Sequence, residues 1–355
     1  MGANKEDLVL VTGASGFLGM HCVMRLLQDG YYVRGSVRDL VRGRRAKEMI
    51  GKHVDVSRLS FVQADLSADE NWEPAIAGCT HILHVASPVP RKPPKTAAEV
   101  IEPARDGALR VLRAAVRVGG VKRIVMTSST AAVLWGQNRD GTKIYNEDDW
   151  TTINADVGPY EQSKTLAERA AWEFVKQLPS KDRFEFVTIN PGLILGPVFG
   201  DEYSISGEIV RKLLAAELPG CPALEFSPVD VRDVAEAHVV AMTHPQAPGK
   251  RFIVGLENTP WLEIAQLLAS RYAARGFKIP ARKLPSWVLK VVAIFDKTAA
   301  VAVPELGKRQ DVSSERARSV LGLKFRDLQT MVFDMADSMI ELGVVAPPKG
   351  AKKAA

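Results

Sequence analysis

"VTGASGFLG", residues 11–19, decides the reading of the fold. Gly13, Gly16 and Gly19 follow the β-branched run "DLVLVT" (7–12) and open the stretch "FLGMHCVMRLLQDG". In that stretch Leu18, Cys22 and Leu26 share one helical face, and Gly30 suits a C-terminal cap. Glycines at this spacing allow a tight turn and a close approach of backbone to a pyrophosphate. The helix that follows offers free N–H groups and a partial positive charge to the same anion. The spacing alone is weak, but at the first strand-to-helix junction it marks a dinucleotide site. Ser15, Phe17 and Leu18 lie between the glycines and join that contact surface.

Outward from this loop, short β-branched runs alternate with amphipathic stretches. The expected strands are 7–12, "YYVRGSV" (31–37), "LSFVQAD" (59–65), "HILHVA" (81–86), "RIVMTSS" (123–129) and "FEFVTIN" (184–190). Their apolar continuity suits burial on both faces. An α/β fold is expected, a Rossmann-type doubly wound parallel sheet over residues 1–191, to which about 226–250 returns. After residue 191 the rhythm changes, and 192–345 reads as a smaller, mainly helical substrate lobe. The basic end, 346–355, reads as a disordered tail.

The 355 residues, 46% hydrophobic and 25% charged, suit a globular protein with an ample core. The formal charge of +6 comes from scattered Lys and Arg without interleaved aromatics, which argues against nucleic acid as a partner. Three distant cysteines cannot pair completely, and no Cys/His cluster has metal-ligand spacing, so no metal is expected. "WVLKVVAIF" (287–295) is too short to span a membrane and carries Lys290, and the N-terminus shows no signal-peptide hydrophobic region. A cytoplasmic monomer or homodimer without membrane partners is expected.

"GSVRD" (35–39) bears on which dinucleotide binds. NAD sites usually carry an acid on the last residue of the second strand, and that residue here is Val37. Arg38 comes next, with Arg42, Arg44 and Arg45 nearby; a guanidinium grips a phosphate in bidentate fashion. NADP(H) is therefore expected, with Asp39 as a helix cap. "ADL" (64–66) offers the Asp65 carboxylate and the Leu66 N–H to an adenine edge. "HVASPV" (84–89) offers Val85 and the small Ala86 and Ser87, past which a ribose fits.

Tyr160 is the one tyrosine with a lysine four places on, in "YEQSK" (160–164), at the start of a helical pattern. "MTSST" (126–130) brings Thr127 and a run of hydroxyls to the end of the fifth strand. These groups suit carbonyl reduction: an ammonium and the positive oxidised nicotinamide favour phenolate, so the tyrosine becomes a competent proton donor. Lys164 also holds the nicotinamide ribose, and a serine hydroxyl steadies the carbonyl oxygen.

"VTGASGFLG", "SVRD", "ADL", "HVASP", "TSST", "YEQSK", "NPGLILGP" and "PVDVRDVAEAH" occur in the order seen in extended short-chain dehydrogenases/reductases. Over about residues 7–345 the chain resembles the branch of dihydroflavonol 4-reductases, cinnamoyl-CoA reductases and yeast-type methylglyoxal (aldehyde) reductases. The resemblance implies Ser129, ahead of Ser128, as the catalytic serine, with Tyr160 and Lys164. It also implies Pro191 and Gly192 near the nicotinamide, and Arg38 as the family's arginine on the cofactor. Cinnamoyl-CoA reductases carry an Asn-Trp-Tyr-Cys-Tyr signature at the tyrosine; here the chain reads "DVGPYEQSK", which argues against a CoA thioester. No Asp-Glu pair of the sugar-nucleotide dehydratases stands beside the hydroxyls.

An NADPH-dependent reductase of an apolar or aromatic aldehyde or ketone follows, with alcohol oxidation as its reverse. Val89, Thr130, Trp135, Ile194 and Phe199 are the candidate pocket residues. The rivals are an NAD-dependent sugar-nucleotide epimerase, a 3-beta-hydroxysteroid dehydrogenase-like enzyme, and a non-catalytic NADP-binding regulator. His238 and Asp233, in a helix returning to the first domain, read as structural.

Overall fold

The apolar runs pair into one parallel sheet. The computed structural model describes residues 6–88, 96–200, 202–203, 205–295 and 297–348. It begins with β1 (Leu8–Thr12), α1 (Phe17–Gln28), β2 (Tyr32–Val37), α2 (Leu40–Gly51) and β3 (Leu59–Gln63). Then come α3 (Trp72–Ile76), β4 (His81–His84), α4 (Ala98–Val118), β5 (Arg123–Thr127), α5 (Pro159–Gln177) and β6 (Glu185–Pro191). Next are β7 (Leu193–Leu195), α6 (Ile205–Leu214), β8 (Glu225–Phe226), β9 (Pro228–Asp230), α7 (Val231–Thr243) and β10 (Arg251–Val254). The last are β11 (Thr259–Pro260), α8 (Trp261–Tyr272), α9 (Ser286–Val292), α10 (Lys297–Ala302), α11 (Glu315–Leu321) and α12 (Leu328–Glu341).

The large sheet has seven strands in the order β10-β6-β5-β4-β1-β2-β3, each pair parallel. Alternation along the strands splits the core in two. Val9 and Val11 point to a cluster shared with α1, α2 and α7. Leu10, between them, points to the cluster under α3, α4 and α5. Neither face of the central strands meets water, so these segments read as apolar runs. The chain winds from β1 outward to β3 and then crosses back to β4. Between β1 and β4 the winding reverses, and there the carboxyl ends of the strands form a crevice for a ligand.

Three strands end earlier than the sequence suggests, at Gln63, His84 and Thr127. In each case a side chain takes over from the ladder. Asp65 accepts from the N–H and hydroxyl of Ser67, both at 2.9 Å; Ala86 N donates to Thr12 Oγ1 at 2.9 Å; Ser129 caps a short 3₁₀ turn.

The later residues build two small sheets, β7 with β9 and β8 with β11, and α12 packs against α6 and α8. The return to the large sheet extends beyond 226–250: α7 lies along α1, and β10, within the strand-like stretch 250–255, pairs with β6 as the sheet's edge. The stretch 287–295 contributes only the seven-residue α9, and among the described residues no helix is long and apolar enough to cross a membrane. Tail residues 349–355 and the candidate pocket residue Val89 lie outside the described residues.

Candidate active site

The glycine loop leaves no room for side chains. Gly13 has φ +65°, and a Cβ there would sit 3.0 Å from Ala86 Cβ. At Gly19 a Cβ would fall 2.2 Å from the Gly13 carbonyl oxygen, which only glycine avoids. Gly16 N donates to Gly13 O at 2.9 Å and Ala14 N to Ser36 O at 3.1 Å, closing the loop and tying it to β2. Gly16 also caps α1 without any side-chain bond, and the first turn of the helix carries no acid. Phe17 and Leu18 bury their side chains in the core, so their contribution to a ligand is through backbone N–H groups. This cradle fits a dinucleotide's pyrophosphate.

At the end of β2, Val37 is buried and uncharged, and Arg38 is exposed. Asp39 caps α2, accepting from Val41 N at 2.8 Å. Arg42 pairs with Glu202, while Arg38, Arg44 and Arg45 have no ion pair or side-chain hydrogen bond among the described residues. Past β3, one carboxylate oxygen of Asp65 is taken by the Ser67 turn, and Leu66 lies over Gly107 of α4. Past β4, Val85, Ala86 and Ser87 are half-buried, and Ala86 is pinned to β1 through Thr12.

The catalytic candidates come together at the ends of β5 and α5. Pro159 starts α5, which sets Tyr160 in its first turn and Lys164 one turn on. Tyr160 is 41% exposed overall, and its hydroxyl hydrogen-bonds Ser129. Ser128 does not face the tyrosine; its hydroxyl donates to Glu168 at 2.5 Å. Burial pushes the Tyr160 phenol up to about 12, with Glu161 adding to the rise and the Ser129 bond opposing it. The lowering expected from Lys164 is absent in the chain by itself. The ammonium lies 5.9 Å from the ring centroid, and loss of water around the phenol sets the direction. Lys164 is brought down to about 8 by burial, against the attraction of Glu168. Pro191 ends β6, and Gly192 N donates to Val254 O at 3.1 Å.

The candidate pocket residues are more dispersed. Thr130 is buried in the 3₁₀ turn. Trp135 sits in a core cluster with Tyr145, Val157, Ile253 and Val312. Ile194 is half-buried in β7, and Phe199 packs on His21 and His53, at ring-centroid distances of 4.5 and 5.1 Å.

Three supporting groups lie behind the site. Thr127 bonds the fully buried His238 Nε2 at 2.7 Å, and His238 Nδ1 donates to Val234 O at 2.7 Å, so both ring nitrogens are engaged within the fold. Asp233 holds Arg326. Behind the serines, Glu168 is 0% exposed and pairs with Arg251 of β10 at 2.7 Å. Helical spacing from Lys164 was the one available pointer to Glu168; nothing local pointed to Arg251.

The model of the NAD dependent epimerase/dehydratase family matches residues 9–255. Cinnamoyl-CoA reductase from Medicago truncatula is 30% identical over 344 residues, 96% of this chain and 97% of that protein. Tetraketide alpha-pyrone reductase 1 from Arabidopsis thaliana is 32% identical over 343 residues, 95% of this chain and 97% of that protein. Among solved structures, yeast methylglyoxal/isovaleraldehyde reductase complexed with NADPH superposes with a TM-score of 0.80 at 26% identity, covering 95% of this chain and 99% of that one. The family model covers more than half of the chain, and the chain belongs to the NAD-dependent epimerase/dehydratase family, the extended short-chain dehydrogenases/reductases.

Proposed function

We propose that this chain is an NADPH-dependent reductase of aldehydes or ketones, with alcohol oxidation as the reverse. The observation that carries it is the meeting of Ser129 and Tyr160 hydroxyls one helical turn from a buried Lys164. Gly13, Gly16 and Gly19 with the N–H groups of α1 would hold the pyrophosphate, and Arg38 would hold the ribose phosphate. Asp65, Leu66, Val85, Ala86, Ser87 and Thr127 line the way to the nicotinamide end, where Lys164, Pro191 and Gly192 stand. NADPH supplies the hydride when bound. Tyr160, protonated at neutral pH as an ordinary phenol is, gives its proton to the carbonyl oxygen. Ser129 donates a hydrogen bond to that oxygen, and Lys164 places a positive charge beside the negative charge left on the Tyr160 oxygen.

A free, apolar or aromatic carbonyl is the substrate class, since residues 130–135 after the serine bring no charge. The uncharged Val37 argues against an epimerase that retains NAD, and the assembled hydroxyls argue against a regulator without turnover. We infer a cytoplasmic monomer or homodimer: the three cysteines are free and buried, as suits a reducing compartment. Purified protein incubated with NADPH or NADH and a panel of aldehydes and ketones tests the reading. Turnover with NADPH is expected; no turnover with any carbonyl, together with tightly co-purified NAD, overturns it.

A further inference from the structure

Glu168 is a buried carboxylate with every lone-pair direction in use. It accepts from Ser128 Oγ at 2.5 Å, Asn190 Nδ2 at 2.8 Å, Thr188 Oγ1 at 2.9 Å and Trp172 Nε1 at 3.2 Å. Arg251 clamps it with Nε at 2.7 Å and Nη2 at 3.2 Å. Arg251 in turn donates to the carbonyls of Asp149 at 2.7 Å, Glu147 at 3.0 Å and Ala132 at 3.2 Å, and lies 3.7 Å over the Trp150 ring. Asn190 closes the circuit by donating to the Ser129 carbonyl at 3.2 Å. Residues 128–132 are thus held from behind by one ion pair.

A buried ion pair is a poor stabilising device, since desolvation consumes most of its Coulomb gain; apolar residues of like volume often do as well. Its placement calls for another explanation. Glu168 lies one helical turn beyond Lys164, and both border a cavity of about 20 Å³ lined also by His84, Thr127 and Ser128. That space is large enough for a water molecule; these five groups give it a polar side, and Ala104, Ala108 and Met126 an apolar one.

We propose that Glu168 is a positioning residue of this site: clamped by Arg251, its carboxylate fixes the Ser128–Ser129 turn and keeps Lys164 charged. The proposal rests on the reductase reading given above. The titratable and charged groups around Lys164 are Tyr160 and Glu168 on α5, His84 from β4, and behind them His238 from α7 and Arg251 from β10. Burial lowers both histidines to about 4 and pushes Tyr160 up to about 12, so Lys164, at about 8, is the group among these that titrates between pH 6 and 10.

The test is the pH profile of Glu168→Gln, which keeps the shape and removes the charge. The double variant Glu168→Gln/Arg251→Met leaves no buried charge unpaired and stands in where the single variant does not fold. In Glu168→Gln the alkaline limb of kcat/KM is expected to move down by roughly one pH unit, and in the double variant in the same direction by less, since the Arg251 charge goes too; Glu168→Asp should restore it towards the wild-type position. Independently of turnover, the 13Cε resonance of Lys164 in lysine-labelled protein, assigned with Lys164→Met, should titrate lower by the same amount. A limb and a resonance that titrate as in the wild type, even with lower kcat, overturn the proposal and leave Glu168 a structural residue. Wild-type protein without carbonyl reduction sinks the reductase reading instead, and the resonance still decides the effect of Glu168 on Lys164.

Discussion

Tyr160 and Lys164 share one helix turn, yet burial acts on them with opposite sense: it keeps the proton on the phenol and loosens the proton on the amine. The wild-type kcat/KM is therefore expected to fall as pH rises through about 8, where Lys164 loses its charge, and to stay level below that to about pH 6. Replacing Tyr160 by Phe removes the proton donor and leaves the ring. A loss of about 10²- to 10⁴-fold in kcat is expected, with NADPH affinity by fluorescence titration changed only a few-fold. At Arg38 the expected change is in cofactor choice. Arg38→Ala should cost roughly 1.5–3 kcal/mol of charge-assisted hydrogen bonding, or at least about tenfold in KM for NADPH, with KM for NADH nearly unchanged. Equal effects on both cofactors would return Asp39 to consideration as the discriminating residue. The placement of Tyr160 and Lys164 on one helix turn and of Arg38 just after β2 was legible because helical and strand spacing are local. Glu168 and Arg251 stand 83 residues apart and meet only through the sheet, so no window of sequence contains their pairing.

Strands and helices were legible to the extent that burial alone sets them. The runs at 8–12 and 32–37 carry buried apolar residues and end close to where hydrophobicity does. The ends of β3, β4 and β5 were not, because hydroxyl and carboxylate bonds to the backbone stop those strands while their sequences still look extended. Asp39 is the counterexample: its capping role follows from its place before α2. Asp39→Ala should lower stability by about 1 kcal/mol, read as a lower urea midpoint at constant m-value. At the other helix of this corner, Gly19→Ala would drive a methyl group into the Gly13 carbonyl. NADPH binding should weaken sharply in that variant, and retention of wild-type affinity would contradict the tight cradle.

Across the whole molecule, four of the six histidines, His21, His81, His84 and His238, are buried and lowered to about 4. Unfolded, each takes a proton near 6.5. Between these values the unfolded chain binds more protons, so stability is complete above pH 6.5 and declines as pH falls towards 4. At roughly 3 kcal/mol for each histidine, the four together rival the whole stability of an ordinary domain. A steep fall of Tm between pH 6.5 and 4, with unfolding before pH 4, is the expected outcome of thermal scans; a flat Tm across that range would contradict the burial. The position of β10 has a further consequence, for the order in which a nascent chain acquires structure. The seventh strand of the sheet is made after β6 and the lobe segments that follow it, and it brings the guanidinium paired with Glu168. A chain that ends at residue 191 would lack the strand that pairs with β6 and the Arg251 guanidinium that pairs with Glu168. Such a fragment, expressed alone, should show no cooperative melting transition and should need chaperones during synthesis, so the cofactor half and the lobe mature together.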